Sequence, residues 1–206
     1  YKRNKNYPKI NKIMMVTAIK SKYANTILSS YHSSSWVNYI EFLDLFLKTT
    51  STNIRSNIVI KGYHHDYGWD YTQILKKKYP KISIYNDNKT FGELVKTYKL
   101  NIITYNGTSL LQSLSSGNPT IILWDSSIWR TSSISKKYFK LLQDCQILFD
   151  DIGKASIHLN NIYDDIDSWW SQSYLQKNLN LFVNYFSRNT NQFDNELIKE
   201  LKKIND

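Results

Sequence analysis

One cysteine, Cys145, is all that this chain of 206 residues carries, so neither an internal disulfide nor a multi-cysteine metal site can form in it. Such a chain suits a reducing compartment, and Cys145 reads as a small buried hydrophobe. Only 3 prolines and 6 glycines punctuate the sequence, with no linker-like stretch and no internal repeat. No apolar run approaches the ~20 residues that cross a bilayer, and the N-terminus lacks a charged-then-apolar signal pattern. The expected location is therefore the cytoplasm. The chain opens on Tyr1 rather than Met, which fits an excised part of a longer protein.

Several chemical signatures are missing as well. There is no Gly-x-Gly-x-x-Gly, no phosphate-loop Gly-Lys-Ser/Thr and no Gly-x-Ser-x-Gly elbow, which takes support from dehydrogenase, ATPase and serine-hydrolase readings. Negative charge is scarce: 17 Asp and Glu stand against 27 Lys and Arg, a formal net charge of +10. That excess favours an anionic partner, whether nucleic acid, an anionic membrane face or a phosphorylated small molecule. The lysines are scattered, however, and no aromatic RNA-binding strand, zinc-knuckle spacing or helix-turn-helix is present, so nucleic acid is not the expected partner.

What is present is an alternation of short apolar runs with amphipathic stretches, the pattern of a parallel sheet covered by helices. The predicted strands are Lys12 to Ile19, Asn57 to Lys61, Ile82 to Tyr85, Asn101 to Tyr105, Thr120 to Trp124 and Gln146 to Phe149. Predicted helices run from Trp36 to Lys48, Tyr71 to Lys78, Phe91 to Tyr98, Ser109 to Ser115 and Ser135 to Gln143. Three more follow, at Gly153 to Ile162, Leu175 to Phe186 and Phe193 to Ile204. The fold class is α/β: a doubly wound, mostly parallel, Rossmann-like sheet forming one domain over 1–206, with 153–206 a helical extension packed on it. Such a sheet binds ligands at the carboxyl ends of its strands.

Four segments carry candidate chemistry. In Asn101 to Trp124 a buried strand runs into Asn106-Gly-Thr-Ser109, a helix follows, and Gly117-Asn-Pro119 stops it. Gly107 allows close backbone approach, while Thr108 or Ser109 can cap the helix, whose free N–H groups suit a diphosphate; an ordinary N-cap without ligand reads equally well. Lys61, Tyr63, His64 and His65 leave the second strand in a loop suited to phosphate or sugar hydroxyls, or else form a polar surface loop in which Tyr67 and Trp69 pack. Adjacent His64 and His65 point to opposite sides of an extended chain and make poor joint metal ligands. Asp125 and Arg130 follow the fifth strand, the first placed for a ribose or sugar and the second for a phosphate. The hydroxyls of Ser29 to Ser35 suit capping of the first helix. The acidic Asp164, Asp165 and Asp167 read as helix caps beside inward-packed Trp169 and Trp170.

The order of Tyr63-His-His-Asp-Tyr-Gly-Trp69, Tyr105-Asn-Gly-Thr-Ser-Leu-Leu-Gln-Ser-Leu114, Gly117-Asn-Pro-Thr-Ile-Ile-Leu-Trp124, Tyr138-Phe-Lys-Leu-Leu142 and Ile162-Tyr-Asp-Asp-Ile-Asp-Ser-Trp-Trp170 resembles the sugar transferases of bacterial O-antigen and surface-polysaccharide loci. Their C-terminal halves are nucleotide-sugar domains of the GT-B kind. The resemblance implies a glycosyltransferase of lipopolysaccharide or surface-polysaccharide biosynthesis. It would act at the cytoplasmic face of the inner membrane, moving a sugar from a nucleotide donor to a glycan or lipid-linked glycan. It implies that Asn106, Gly107, Thr108 and Ser109 hold the donor phosphates and that Lys61, Tyr63, His64 and His65 line the cleft. It also implies an N-terminal partner domain that supplies the catalytic base, and catalysis without metal or other cofactor. The sequence departs from the family pattern near Lys61, where relatives carry Arg, and at Arg130, where they carry an acidic residue. Transfer of another phosphate-linked group, or a non-catalytic nucleotide-sugar-binding module, are the alternatives.

Overall fold

The computed structural model describes residues 10–19, 21–23, 33–63, 65–188 and 193–204. Six strands, β1 (Ile10–Val16), β2 (Ile58–Lys61), β3 (Ser83–Ile84), β4 (Tyr98–Ile103), β5 (Thr120–Leu123) and β6 (Leu148–Phe149), form one sheet in the order β3-β2-β1-β4-β5-β6. Every pairing is parallel, with Met14 of β1 opposite Val59 of β2 on one side and Asn101 of β4 on the other. The central strands are mostly apolar because both of their faces are covered: Ile13, Met14, Met15, Leu100, Ile102, Ile121 and Ile122 are all fully buried.

Between the strands lie α1 (Ser33–Thr49), the short α2 (Thr52–Ser56), α3 (Tyr71–Lys78), α4 (Phe91–Leu94), α5 (Thr108–Ser115) and α6 (Ser133–Asp144). Right-handed crossovers put α1 and α3 on one face and α4, α5 and α6 on the other. On the first face, Tyr79 donates its hydroxyl to Asp44 Oδ1 at 2.9 Å and Lys78 pairs with Asp44 at 2.6 Å, tying α3 to α1. The tail then divides between the faces. Helix α7 (Ile152–Ile162) returns to α1, where Thr49 Oγ1 meets Ser156 Oγ at 2.7 Å. A 3-10 turn (Tyr163–Asp165) and α8 (Ile166–Trp170) lead to α9 (Ser173–Phe186), which packs on α6 with Phe182 against Phe139 at 5.2 Å between ring centroids. The last helix is α10 (Phe193–Ile204).

The sequence expectations and the structure part company in a few places. Phe91 to Tyr98 was expected to be helical, yet α4 ends at Leu94 and Tyr98 already lies in β4, beside Ile10. The reason is a period-two stretch: Tyr98 and Leu100 are buried, while Lys99 between them sends its ammonium to the Tyr163 carbonyl at 2.6 Å. Gln146, expected in the last strand, holds a left-handed backbone (φ 57°) that ends the preceding turn, and β6 shrinks to two residues. Helix α2 was not expected at all. The acidic run behaves as caps do: Asp165 accepts from Ser168 N at 3.0 Å, and Trp169 and Trp170 are buried. The Ser29 to His32 part of the predicted capping loop lies outside the described residues.

A buried polar seam fixes α5 on the sheet. The Asn101 side chain donates to the Val95 carbonyl at 2.8 Å and to Ser113 Oγ at 3.0 Å. Ser113 Oγ lies 2.8 Å from Thr120 Oγ1, whose hydroxyl donates to the Asn118 carbonyl at 2.8 Å. Asn118 in turn donates to the Tyr98 carbonyl at 3.2 Å. The directions follow in sequence: Thr120 gives its proton away, so Ser113 donates to it and accepts from Asn101. Each link joins β4, α5 or β5, and a truncation would strand a buried partner at a cost of ~1–3 kcal/mol.

His158 on α7 is packed between Phe149 at 5.2 Å and Trp169 at 5.0 Å, and burial lowers its pKa from 6.5 to about 4. The folded state thus disfavours the imidazolium, so this contribution to stability is whole above the unfolded value of 6.5 and is lost as pH falls towards 4. Urea unfolding at stepped pH should show the native protein losing up to roughly 1.4 kcal/mol per pH unit more than His158→Phe within that window, and no difference in slope above it.

Candidate functional site

Strands β1 and β4 are neighbours whose connections leave in opposite directions, and the crevice at their carboxyl ends is where a doubly wound sheet opens. Two side-chain hydroxyls hold that opening. Thr104, just past β4, donates its hydroxyl to the Val16 carbonyl at 2.9 Å, and the Tyr39 hydroxyl of α1 lies 2.5 Å from Thr104 Oγ1. Tyr39 also accepts the Ala18 N–H at 2.9 Å. Because Thr104 has spent its proton on Val16, Tyr39 must donate to Thr104. Complete burial raises the Tyr39 pKa far above its ordinary value, which keeps the phenol neutral and able to donate.

Above this lock lies a cleft of about 800 Å³, within the range of small-ligand sites. Its floor is Val16 to Ile19; its walls are the loops after β2 and β3 and the first turn of α5. Lys61, Tyr63, His65, Thr108 and Ser109, all expected from sequence, line it together. Lys61 ends β2, donates to the Lys89 carbonyl at 2.8 Å and sits 4.6 Å from the Tyr85 ring centroid. Partial burial lowers its pKa, partly opposed by Asp87 and Glu93. Tyr63 is 53% exposed at the edge of the cleft. Asp66 folds its own loop, accepting from Gly68 N and Trp69 N, each at 2.8 Å. Trp69 packs towards Trp36, and Tyr67, though 42% exposed, meets the rings of Tyr63 at 6.1 Å and His65 at 6.5 Å between centroids. His64 lies outside the described residues.

Helix α5 begins differently from expectation. Gly107 is its N-cap, in an extended conformation, and no side chain caps the end. Thr108 and Ser109 occupy the first turn, one and two residues too late to cap, and Ser109 Oγ is engaged by Tyr105 Oη at 2.7 Å. The first-turn N–H groups and the positive end of the helix dipole therefore stand at the cleft without a side-chain cap. Asn106 and Gly107 set the turn without lining the cleft. Gly107 has a steric reason to be glycine: a Cβ there would lie 2.5 Å from the Tyr105 ring.

Two expected residues fall elsewhere. The Asp125 carboxylate accepts from Ser127 N at 2.8 Å and Ser127 Oγ at 2.6 Å, folding the loop after β5 on itself. That loop is closed further by Trp124 Nε1 donating to the Trp129 carbonyl at 3.0 Å, and Trp129 packs 6.2 Å from Tyr105. Arg130 lies beyond it, in a separate groove of about 660 Å³. Sequence reasoning missed Thr17, Tyr85, Lys89 and Gln112, which line the main cleft. Gln112 was within reach, since it stands one helical turn after Thr108. Among the described residues, no group of three or more His, Cys, Asp or Glu gathers as metal ligands would.

A family model for the LIC12162 family transferases matches residues 1–201. The chain belongs to that transferase family. A search of curated proteins finds no match. Among solved structures, the chain is similar to the catalytic domain of cholesterol-alpha-glucosyltransferase from Helicobacter pylori, with TM-score 0.50 and 17% identity over 84% of this chain and 99% of that one. It also aligns with WaaG, a glycosyltransferase involved in lipopolysaccharide biosynthesis, with TM-score 0.43 and 10% identity, covering 88% of this chain and 48% of the other. It thus spans about half of the WaaG chain. At 17% identity the first likeness shows the fold, a Rossmann-like sheet of the GT-B kind. No helix among the described residues is long and apolar enough to cross a membrane.

Two substitutions test the geometry. Gly107→Ala should force the Tyr105 ring off Ser109 and lower stability in urea by ~1–3 kcal/mol, and adding Tyr105→Ala should recover part of that loss. Tyr39→Phe should leave the Ala18 N–H without its acceptor and cost ~1–3 kcal/mol by the same measurement.

Proposed function

We propose that this transferase is the donor-binding part of a GT-B glycosyltransferase, taking a sugar from a nucleotide-sugar and delivering it to a surface-polysaccharide or O-antigen acceptor. One observation carries the reading: a helix N-terminus that no side chain caps and a cationic side chain, Lys61, meet in one cleft at the switch point of a parallel sheet. Backbone N–H groups and a helix dipole worth about half a charge suit a diphosphate, and Lys61 adds a point charge across from them. The same groups act on the leaving diphosphate, whose negative charge grows as the glycosidic bond breaks. They do the work that a metal ion does elsewhere, so turnover proceeds without one. Tyr63, His65 and Gln112 supply hydroxyl, imidazole and amide for the sugar and ribose. The catalytic base and the acceptor site belong to an N-terminal partner domain that closes over the cleft. The protein works in the cytoplasm, at the inner face of the inner membrane, on a glycan or lipid-linked glycan.

A thermal-shift panel of UDP-, GDP-, CMP- and dTDP-linked sugars should raise the melting temperature with one nucleotide class, since a ligand that binds only the folded state stabilises it. Lys61→Ala and Thr108→Ala should each weaken that binding roughly tenfold. No shift with any donor, in protein whose unfolding is cooperative, rejects the reading of the cleft. For the assembled enzyme, sugar transfer that survives excess chelator is the expected result, and loss of turnover on chelation rejects the metal-independent step.

A further inference from the structure

The groove that holds Arg130 lies between the loop after β5, helix α6 and strand β6, and it shares no lining residue with the main cleft. Its floor is aromatic and aliphatic (Trp124, Trp129, Phe139, Leu148), and its rim carries Arg130, Lys136, Lys137 and Lys140 against one carboxylate, Asp150. Lys140 is paired with Asp144 at 2.8 Å, while Lys137 lies 5.0 Å from the Tyr138 ring centroid. Among the described residues no carboxylate pairs with Arg130, Lys136 or Lys137.

An exposed apolar ridge adjoins the Lys137 side of this strip, for Ile134 stands one helical turn before Lys137. Ile134, in the first turn of α6, is 65% exposed. One turn later Tyr138 stacks on Tyr185 of α9 at 4.0 Å, and Tyr185 and, one turn earlier in α9, Leu181 are exposed by 51% and 48%. A lone exposed Ile is ordinary, but a ridge of Ile, Leu and paired Tyr flanked by unpaired cations is the composition of a surface that lies in a lipid headgroup layer. We propose that the α6–α9 face docks this protein on an anionic bilayer, with Ile134, Tyr185 and Leu181 against the acyl boundary and Arg130, Lys136 and Lys137 on lipid phosphates.

Charge complementarity selects the occupant. The chain carries a net +10, and this face concentrates unpaired positive charge beside apolar side chains. Helix α10 also exposes Leu197, Ile198 and Leu201, but its sequence balances three lysines with Asp194, Glu196 and Glu200 and offers no net attraction to lipid phosphate. A nucleic-acid backbone would use the cations and leave the ridge in water. The inference rests on the inner-membrane location proposed above but is independent of donor chemistry, because none of its residues lines the main cleft.

Co-sedimentation with vesicles of phosphatidylcholine alone, or mixed with phosphatidylglycerol, tests it. Binding is expected only with phosphatidylglycerol, declining as added salt screens the charges. The double variant Lys136→Glu/Lys137→Glu should lose at least about twentyfold, as roughly fivefold per removed charge implies, and Ile134→Ser should lose roughly tenfold. Both variants should keep the native melting temperature and any donor-induced shift, which separates failure of docking from failure of the cleft or the fold. Equal binding to both vesicle types, or a double variant that binds like the native protein, overturns the proposal. So does displacement by inorganic phosphate that chloride at equal ionic strength does not reproduce, because it would assign the groove to a small free anion.

Discussion

The contact on which the site depends is the hydroxyl pair of Tyr39 and Thr104. At the point where β1 and β4 part, the Val16 carbonyl accepts the Thr104 hydroxyl as well as the Thr104 N–H, and the Ala18 N–H, past the end of β1, is taken by the Tyr39 hydroxyl. Two side-chain hydroxyls complete both groups, and in doing so they set the distance between the carboxyl ends of the strands. Everything above rests on that spacing: the loop leaving β4, the start of α5 and the floor of the cleft. The Asn101 seam plays the matching part on the other side of β4, holding α5 at a fixed height over the sheet. A helix pinned at its base by Ser113 can present its first turn to a ligand without rearranging.

Much of the fold was legible because buried parallel strands are written as continuous apolar runs. Ile58 to Lys61 and Thr120 to Leu123 could hardly be read otherwise, and the resemblance to sugar transferases agrees with the family to which the chain belongs. The misreadings have local causes. Tyr98, Lys99 and Leu100 carry a two-residue period too short to outweigh the helical pattern before it, so a strand was read as a helix end. At α5 the composition was right and the role was displaced by a residue or two, because Gly107 caps by backbone conformation and leaves Thr108 and Ser109 in the first turn. Asp125 looked available in the sequence, yet a carboxylate two residues before a serine readily closes on that serine's N–H and hydroxyl. Gln112 was hidden by ordinary helical polarity, although its spacing from Thr108 marked it.

The loop from Asp125 to Arg130 explains why two neighbouring residues of the sequence serve different places. Its turn is closed from within by Asp125, and Trp124 and Trp129 bind it across its base, with Trp129 resting near Tyr105. It stands as a partition between the switch-point cleft and the basic groove. Positive charge on this molecule is accordingly divided, with Lys61 on one side and Arg130 with the α6 lysines on the other.

The return of α7 to α1 also governs how the chain can reach its native state. Thr49 finds Ser156 across 107 positions, and Thr104 finds Val16 across 88. Strand β1 and helix α1 therefore lack part of their packing while the ribosome is still making the middle of the chain. Loop closure over such separations must precede any gain from the contacts, which makes assembly slow and late. Until α7 emerges, the face of α1 that it covers stays exposed, and in this interval the nascent protein is open to aggregation and to chaperones.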